Sequence, residues 1–324
     1  MKKLLLIVIL LFSIEITACS ADINEPFESH WAYNEILELH NKELIADISD
    51  YNPNDNITRS EFLNLFLSTV ISPDIPAVKG GIFNSGKEIT RYDAVYIIVT
   101  ALKLNDRLTD FRFSDNINKN SFIYAAYNAG IVTGYPDGAF KSSAKLTKAE
   151  GAVILKRISD KIENEINLET ERKFLIDPNN IPHDLSEADK YEIIQTYISI
   201  SPEIRVRQLN GYDYWFALKM PKDNIGLSRQ ELEFPIIKEE YEYLFDKKEV
   251  ESVLKTRYQF TEDDYMVAVD VYDGNLKGLA VSEIEFESVE ESEKFIPFDW
   301  YLKDITSDKR YKNANLALDG MPIN

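Results

Sequence analysis

One cysteine, Cys19, stands in 324 residues. No disulfide can form within the chain, so its stability must come from packed cores. Positive charge is also scarce. Lys and Arg number 36 against 55 Asp and Glu, a formal net charge of −19. A general nucleic-acid binder needs a positive field, so that class is excluded. An anionic ligand is not excluded, because a local ring of bases can act inside an acidic protein. Long apolar runs are missing too: Leu4 to Phe12 is too short for a hydrocarbon layer of about 30 Å. What is present is a hydrophobic share of 44% and enough length for two domains.

Lys2 and Lys3 ahead of that apolar stretch read as an export signal. Ile16-Thr17-Ala18-Cys19 resembles the bacterial lipoprotein box, with Glu15 just upstream as an unusual neighbour. The resemblance implies removal of residues 1–18 and lipidation of Cys19, anchoring an exported protein to the outer face of the cytoplasmic membrane. An ordinary signal peptide with an incidental cysteine is the alternative.

A short pattern then recurs: apolar, Thr, basic, any residue, acidic. It appears at Ile57-Thr58-Arg59-Ser60-Glu61 and Ile89-Thr90-Arg91-Tyr92-Asp93, with Leu146-Thr147-Lys148-Ala149-Glu150 as a third copy. Each copy precedes an apolar helical stretch, and Thr with an acid three residues on suits a capping box. Gly130 reads as a helix stop and Pro136-Asp137-Gly138 as a tight turn. Residues 19–158 resemble S-layer homology repeats, an all-α domain in which three repeats form a pseudo-trimer. The middle repeat is shortened: 32 residues separate the first two threonines and 57 the next two. The resemblance implies binding of anionic secondary cell-wall polysaccharide through Arg59, Arg91 and Lys148. Bracing of helix ends by the same residues is the other possibility. Residues 159–167, free of Gly and Pro, are the expected connection.

From 168 the period changes from helical to alternating. Glu169, Glu171 and Lys173 would share one face of a strand. So would Arg205 with Arg207, Arg229 with Glu231 and Glu233, Lys255 with Arg257, and Glu283 with Glu285. Lys219 ends another strand-like run, Tyr212 to Met220. Apolar or aromatic residues such as Val206, Leu218, Leu232, Phe234, Tyr258, Ile284 and Phe286 lie between them. A solvated amphipathic sheet accounts for such a pattern, but paired acids on the first and last strands with bases between also suit a barrel of about eight strands with charges inward. Charges held inside need partners, a metal or a ligand.

Residues 168–324 resemble the triphosphate tunnel, or CYTH, family. The matching segments include Glu169-Thr170-Glu171-Arg172-Lys173, Arg205-Val206-Arg207, Lys219, Lys255-Thr256-Arg257-Tyr258, Val269-Asp270-Val271, Glu283-Ile284-Glu285 and Arg310-Tyr311-Lys312-Asn313. Pro235 departs from it, standing where an acid is expected. The implied fold is an α+β domain on an antiparallel eight-stranded β-barrel. The implied activity is metal-dependent hydrolysis of inorganic or organic triphosphate. Glu169, Glu171, Asp270, Glu283 and Glu285 would bind Mg²⁺ or Mn²⁺. Lys173, Arg205, Arg207, Lys219, Lys255 and Arg257 would hold phosphate. Glu169, Glu171, Lys173, Glu231 and Glu233 would serve the catalytic step, and Glu231, Glu233 or Asp270 could support a second metal or position water. Tyr197 could shape the tunnel mouth or simply pack, and His183 receives no role. A non-catalytic polyphosphate-binding module, an adenylate cyclase and a purely structural wall protein remain as rivals.

Overall fold

A computed structural model describes residues 27–322, apart from 46, 49–50, 72–80, 106–112, 116–119, 163–167 and 222–227. Side chains of 162, 168–169, 220–221 and 228–230 are likewise outside the description, so Cys19, the export signal and the Glu169 side chain lie beyond it.

The first part holds α1 (Tyr33–Asn41), α2 (Arg59–Val70), α3 (Arg91–Ala101), α4 (Ser121–Asn128) and α5 (Lys148–Ile162). The three threonines cap as expected. Thr58 accepts from the Glu61 amide while Glu61 accepts from the Thr58 amide. Thr147 and Glu150 make the same exchange, and Thr90 accepts from Asp93. The residues just before the caps form a cycle. Ile57 N–H donates to Leu146, Leu146 to Ile89, and Ile89 back to Ile57. A second cycle runs from Arg59 to Lys87, Arg91 to Ala144, and Lys148 to Asp55. Three short segments thus meet about a pseudo-threefold axis, each donating to the next. Between α2 and α3 no helix occurs among the described residues. There the Asn64 side chain takes over, bonding the Ile82 and Phe83 amides and the Phe83 carbonyl. Gly81, at φ +84°, lies so close that a Cβ would meet Asn64 Nδ2 at 2.6 Å.

The second part holds nine strands: β1 (Leu168–Ile176), β2 (Asp189–Ile200), β3 (Glu203–Leu209), β4 (Asp213–Pro221), β5 (Ser228–Ile236), β6 (Val253–Glu262), β7 (Tyr265–Tyr272), β8 (Ala280–Phe286) and β9 (Tyr301–Asp304). All pairings are antiparallel, in the order β5-β4-β3-β2-β6-β7-β8-β1-β9. The first half of β1 also pairs with β5, at Leu168–Thr170 against Ser228–Gln230, while its second half takes β9. The expected eight strands are therefore nine, because the four-residue β9 adds outside the run. Helices α6 (Lys238–Phe245), α7 (Val289–Lys294) and α8 (Asn313–Asp319) lie among and after the strands. Near α8, Tyr311, Ala314 and Leu316 pack with Tyr197, Val253, Tyr272 and Val281, covering one end of the strand run.

Alternation places Phe216, Leu218, Leu232 and Phe234 on the outer face of β4 and β5. They join one apolar interior with Phe62, Phe66, Ile97 and other helix residues of the repeats. The apolar packing thus runs from the helices to the outer face of the strands.

Candidate active site

The inner face of the strand run encloses a cavity of about 240 Å³. Seven cationic side chains line it: Lys173, Arg205, Arg207, Lys219, Lys255, Arg257 and Lys312. Six carboxylates face them: Glu171, Glu203, Glu231, Glu233, Glu283 and Glu285. All six sequence-derived phosphate residues thus converge, and so do five of the six metal or catalytic acids that have described side chains. The exception is Asp270. It is 0% exposed and lies behind the wall, accepting from Lys255 Nζ at 2.5 Å and from Arg257 Nε and Nη2 at 2.7 Å each. Both its oxygens are engaged by these two cations, so in this structure it orients Lys255 and Arg257. Parity along β7 brings Asp270 to the inner face, but depth is invisible in a sequence.

Ion pairs tie the remaining walls together. Glu283 bonds Lys173 Nζ at 2.6 Å and also meets the Arg257 guanidinium. Glu231 lies 3.0 Å from Lys219 and 3.4 Å from Arg205; Glu203 is 3.3 Å from Arg205, and Glu233 is 3.1 Å from Arg207. Burial alone would raise a carboxyl pKa. At Glu283 that push is outweighed by Lys173 and Arg257, leaving it well below the usual carboxylate range. Asp270 is lowered in the same way, against its burial, by Arg257 and Lys255. Glu231 is held down chiefly by Lys219. Lys255 moves the other way: burial brings its ammonium down to about 8, although Asp270 opposes the change. Burial likewise lowers Arg207. The Nε atoms of Arg205 and Arg207 are buried without a hydrogen-bond acceptor, and Gln195 Oε1 is buried without a donor. Two orphaned guanidinium donors in a basic wall suit an anion with several oxygens.

Among the described residues no group of three or more His, Cys, Asp or Glu is gathered as for an ion. The donor chemistry nevertheless suits a hard cation. Glu171 lies directly opposite Glu285 across β1 and β8, where like charges repel unless a cation serves both. Seven cations against six carboxylates leave a surplus of one, far short of the charge on a triphosphate. Added divalent cations would close that gap.

Four wall residues were not expected: Glu203, Gln259, Lys312 and Asn313. Glu203 and Gln259 share the parity of Arg205 and Lys255, so alternation could have found them. Lys312 and Asn313 come from the covered end, where no periodicity signals the approach; Asn313 Oδ1 accepts from the Tyr272 hydroxyl at 2.6 Å. Tyr197 is buried at that same end, with its hydroxyl 2.5 Å from Gln195 Nε2. His183 lies outside the cavity, its ring tilted against Phe260 at 4.4 Å between centroids and its Nε2 3.1 Å from Glu262.

The wall-binding candidates separate. Arg91 is turned inward onto the Phe140 and Thr133 carbonyls and Glu150. Arg59 is buried against Glu240. Lys148 is partly exposed beside Glu61, in a shallow groove that also holds Asp55 and Glu88.

Comparison with known proteins agrees with both parts. Residues 27–63 and 112–152 match the S-layer homology domain. An inorganic triphosphatase of Nitrosomonas europaea is 39% identical over 154 residues, which span 46% of this chain and 97% of that protein. An inorganic triphosphatase of Acetivibrio thermocellus is 31% identical over 153 residues, 46% of this chain and 92% of its own length. A crystal structure of an inorganic triphosphatase, 35% identical, covers 46% of this chain and 94% of its own, with a TM-score of 0.36. This chain belongs to the family of the inorganic triphosphatases, the triphosphate tunnel (CYTH-like) family, and bears an S-layer homology region at its N-terminal side.

Proposed function

We propose that this protein is a metal-dependent phosphohydrolase that cleaves inorganic triphosphate inside a tunnel formed by β1–β8. The observation that carries this is the wall of seven bases and six carboxylates around about 240 Å³. The short β1–β5 pairing is the seam at which the eight strands close, with β9 outside it. Lys173, Lys255 and Arg257 would hold one end of the phosphate chain, and Arg205, Arg207 and Lys219 the other. Incoming phosphate oxygens compete with Glu231 and Glu233 for Arg205, Arg207 and Lys219. The released carboxylates can then accept a proton from the attacking water. Water oxygen bonds to the terminal phosphorus, the bridging P–O bond breaks, and pyrophosphate leaves with its charge held by the bases. Glu171 and Glu285, with Glu283 and Glu169 beside them on the same strands, would hold Mg²⁺ or Mn²⁺. When bound, the metal supplies charge neutralisation and a more acidic water.

Phosphate release from tripolyphosphate by the full chain tests this, with Mg²⁺, Mn²⁺ or a chelator. Release that the chelator abolishes is expected. Glu171→Gln and Glu285→Gln should each raise the metal concentration for half-maximal rate on the order of tenfold, since fewer ligand charges weaken binding. A folded protein that binds tripolyphosphate yet releases nothing with either metal would point instead to a phosphopolymer-binding module.

The S-layer homology match supports an envelope location. The finer placement, a lipid anchor at Cys19, fits its position after Ala18. Among the described residues no helix is long and apolar enough to cross a membrane. Cys19→Ser is expected to move the protein from the membrane fraction to the soluble exported fraction; a variant that stays in the membrane would refute the anchor.

A further inference from the structure

The repeats and the strands share a buried ion pair as well as an apolar interior. Arg59, the first residue of α2, donates Nε to Glu240 Oε1 at 2.8 Å and Nη2 to Oε2 at 3.1 Å. Arg59 is 6% exposed and Glu240 1%. Glu240 Oε2 also accepts from the Ile237 amide at 3.0 Å, so the same carboxylate closes the first turn of α6. At the solvent edge Lys87 meets Glu239 at 2.5 Å. Beside the fork, Phe66 packs edge-on against Phe234 at 6.0 Å, and Phe83 lies 5.3 Å from Phe216. Asn64 holds the backbone that presents Phe83.

The strands covered in this way are the ones that carry part of the cavity wall. Phe216 and Leu218 alternate with Ala217 and Lys219 on β4; Leu232 and Phe234 alternate with Glu231 and Glu233 on β5. Outer and inner side chains share one backbone, so a displacement outside is felt inside. Apolar contact has no direction, but a two-pronged guanidinium–carboxylate bond does. Of the three basic repeat residues, Arg91 and Lys148 keep partners within the repeats; Arg59 reaches into the second part of the chain.

We propose that the repeats form a fixed outer wall of the phosphate-binding sheet, locked in place by Arg59 and Glu240, which act as positioning residues for Lys219, Glu231 and Glu233. Arg59 is thereby committed to the sheet and is not open to an external polymer. The kinetic part of this inference rests on the triphosphatase reading; the structural part does not.

The test uses the full chain with Arg59→Ala, Arg59→Lys, Glu240→Ala, the apolar pair Arg59→Met/Glu240→Leu, and Lys238→Ala as an exposed control on α6. Amide hydrogen exchange is followed strand by strand, and KM and kcat for tripolyphosphate are measured where each variant is folded. The single alanine variants should lose protection in β4 and β5 while β7 and β8 keep theirs. Their KM should rise about tenfold, as expected when a binding group is slightly misplaced, with kcat little changed. Arg59→Lys, which keeps charge but not the fork, should fall between. The apolar pair should regain thermal stability, since a packed substitute can replace a buried ion pair, yet keep the raised KM. Should the wild type hydrolyse nothing, the exchange pattern still decides: selective loss in β4 and β5 supports the lock. Uniform or absent loss overturns it, as does a KM that recovers with the melting temperature in the apolar pair.

Discussion

Arg257→Lys is expected to lower kcat/KM for tripolyphosphate by about 10²–10³-fold, the cost of removing a bidentate cation from a site that stabilises developing charge. The guanidinium grips Asp270 through Nε and Nη2 and reaches Glu283 with the same Nη2. An ammonium is one point, so a lysine can serve Asp270 or Glu283 but not span both. Its charge would stay in the wall, and the fold should survive; what is lost is the fixed spacing between two buried acids and the phosphate oxygens. Steady-state kinetics with circular dichroism on the same samples would check this. A folded variant within threefold of wild type would show that charge alone suffices and that the fork does not position phosphate.

Asp270→Ala is expected to destabilise the protein by about 3–5 kcal/mol, the range for breaking a buried ion pair from one side. Two cations, Lys255 and Arg257, lose their shared partner, and Lys255 is itself only 4% exposed. Urea unfolding would measure the loss; a change under 1 kcal/mol would mean that water replaces the carboxylate. Asp270→Asn separates charge from shape. Lys255 already titrates near 8 because burial disfavours its ammonium, and Asp270 is the strongest influence raising it. Without that negative charge the lysine pKa must fall further. The ammonium exists only below its pKa, so at pH 7.5 the variant should lose most of this charge and with it phosphate affinity. Affinity should return as pH falls toward 6. NMR titration of Lys255 would follow the shift; a lysine still titrating at or above 8 would sink the account. Glu283 and Asp270, both with lowered pKa, stabilise the folded state above the ordinary carboxylate range, and that contribution is lost as pH falls through their folded values.

Much of the cavity was legible because strand parity is a strict rule. Glu171, Lys173, Arg205, Arg207, Lys255, Arg257, Glu283 and Glu285 stand at two-residue spacing along their strands, and all of them reach the same cavity. Repeat caps were legible because Thr and an acid at fixed spacing satisfy local amides. What escaped depends on distance rather than period. β2 runs Asp189–Ile200 with few inward charges, and β9 has four residues, too short for alternation to register. Asp270 has inward parity, but its depth behind Lys255 and Arg257 is not something alternation encodes. The Arg59–Glu240 lock joins residues 181 positions apart, and neither residue's surroundings in sequence announce the other.

The cycle of amide bonds through Ile57, Leu146 and Ile89 sets the helical repeats apart from a stacked array. An array has two ends, grows or shrinks by whole units, and needs special terminal units to keep its faces from water. A circle has no terminus and its membership is counted: removing one member leaves a donor and an acceptor bare, and adding one opens the circumference. Here each member owes the circle only a few residues of backbone around its threonine. A member can therefore vary in what it carries outside the circle, so long as a residue such as Ile89 still donates and accepts in turn. Tolerance of decay in the limbs, with none at the hub, is the evolutionary freedom this geometry confers.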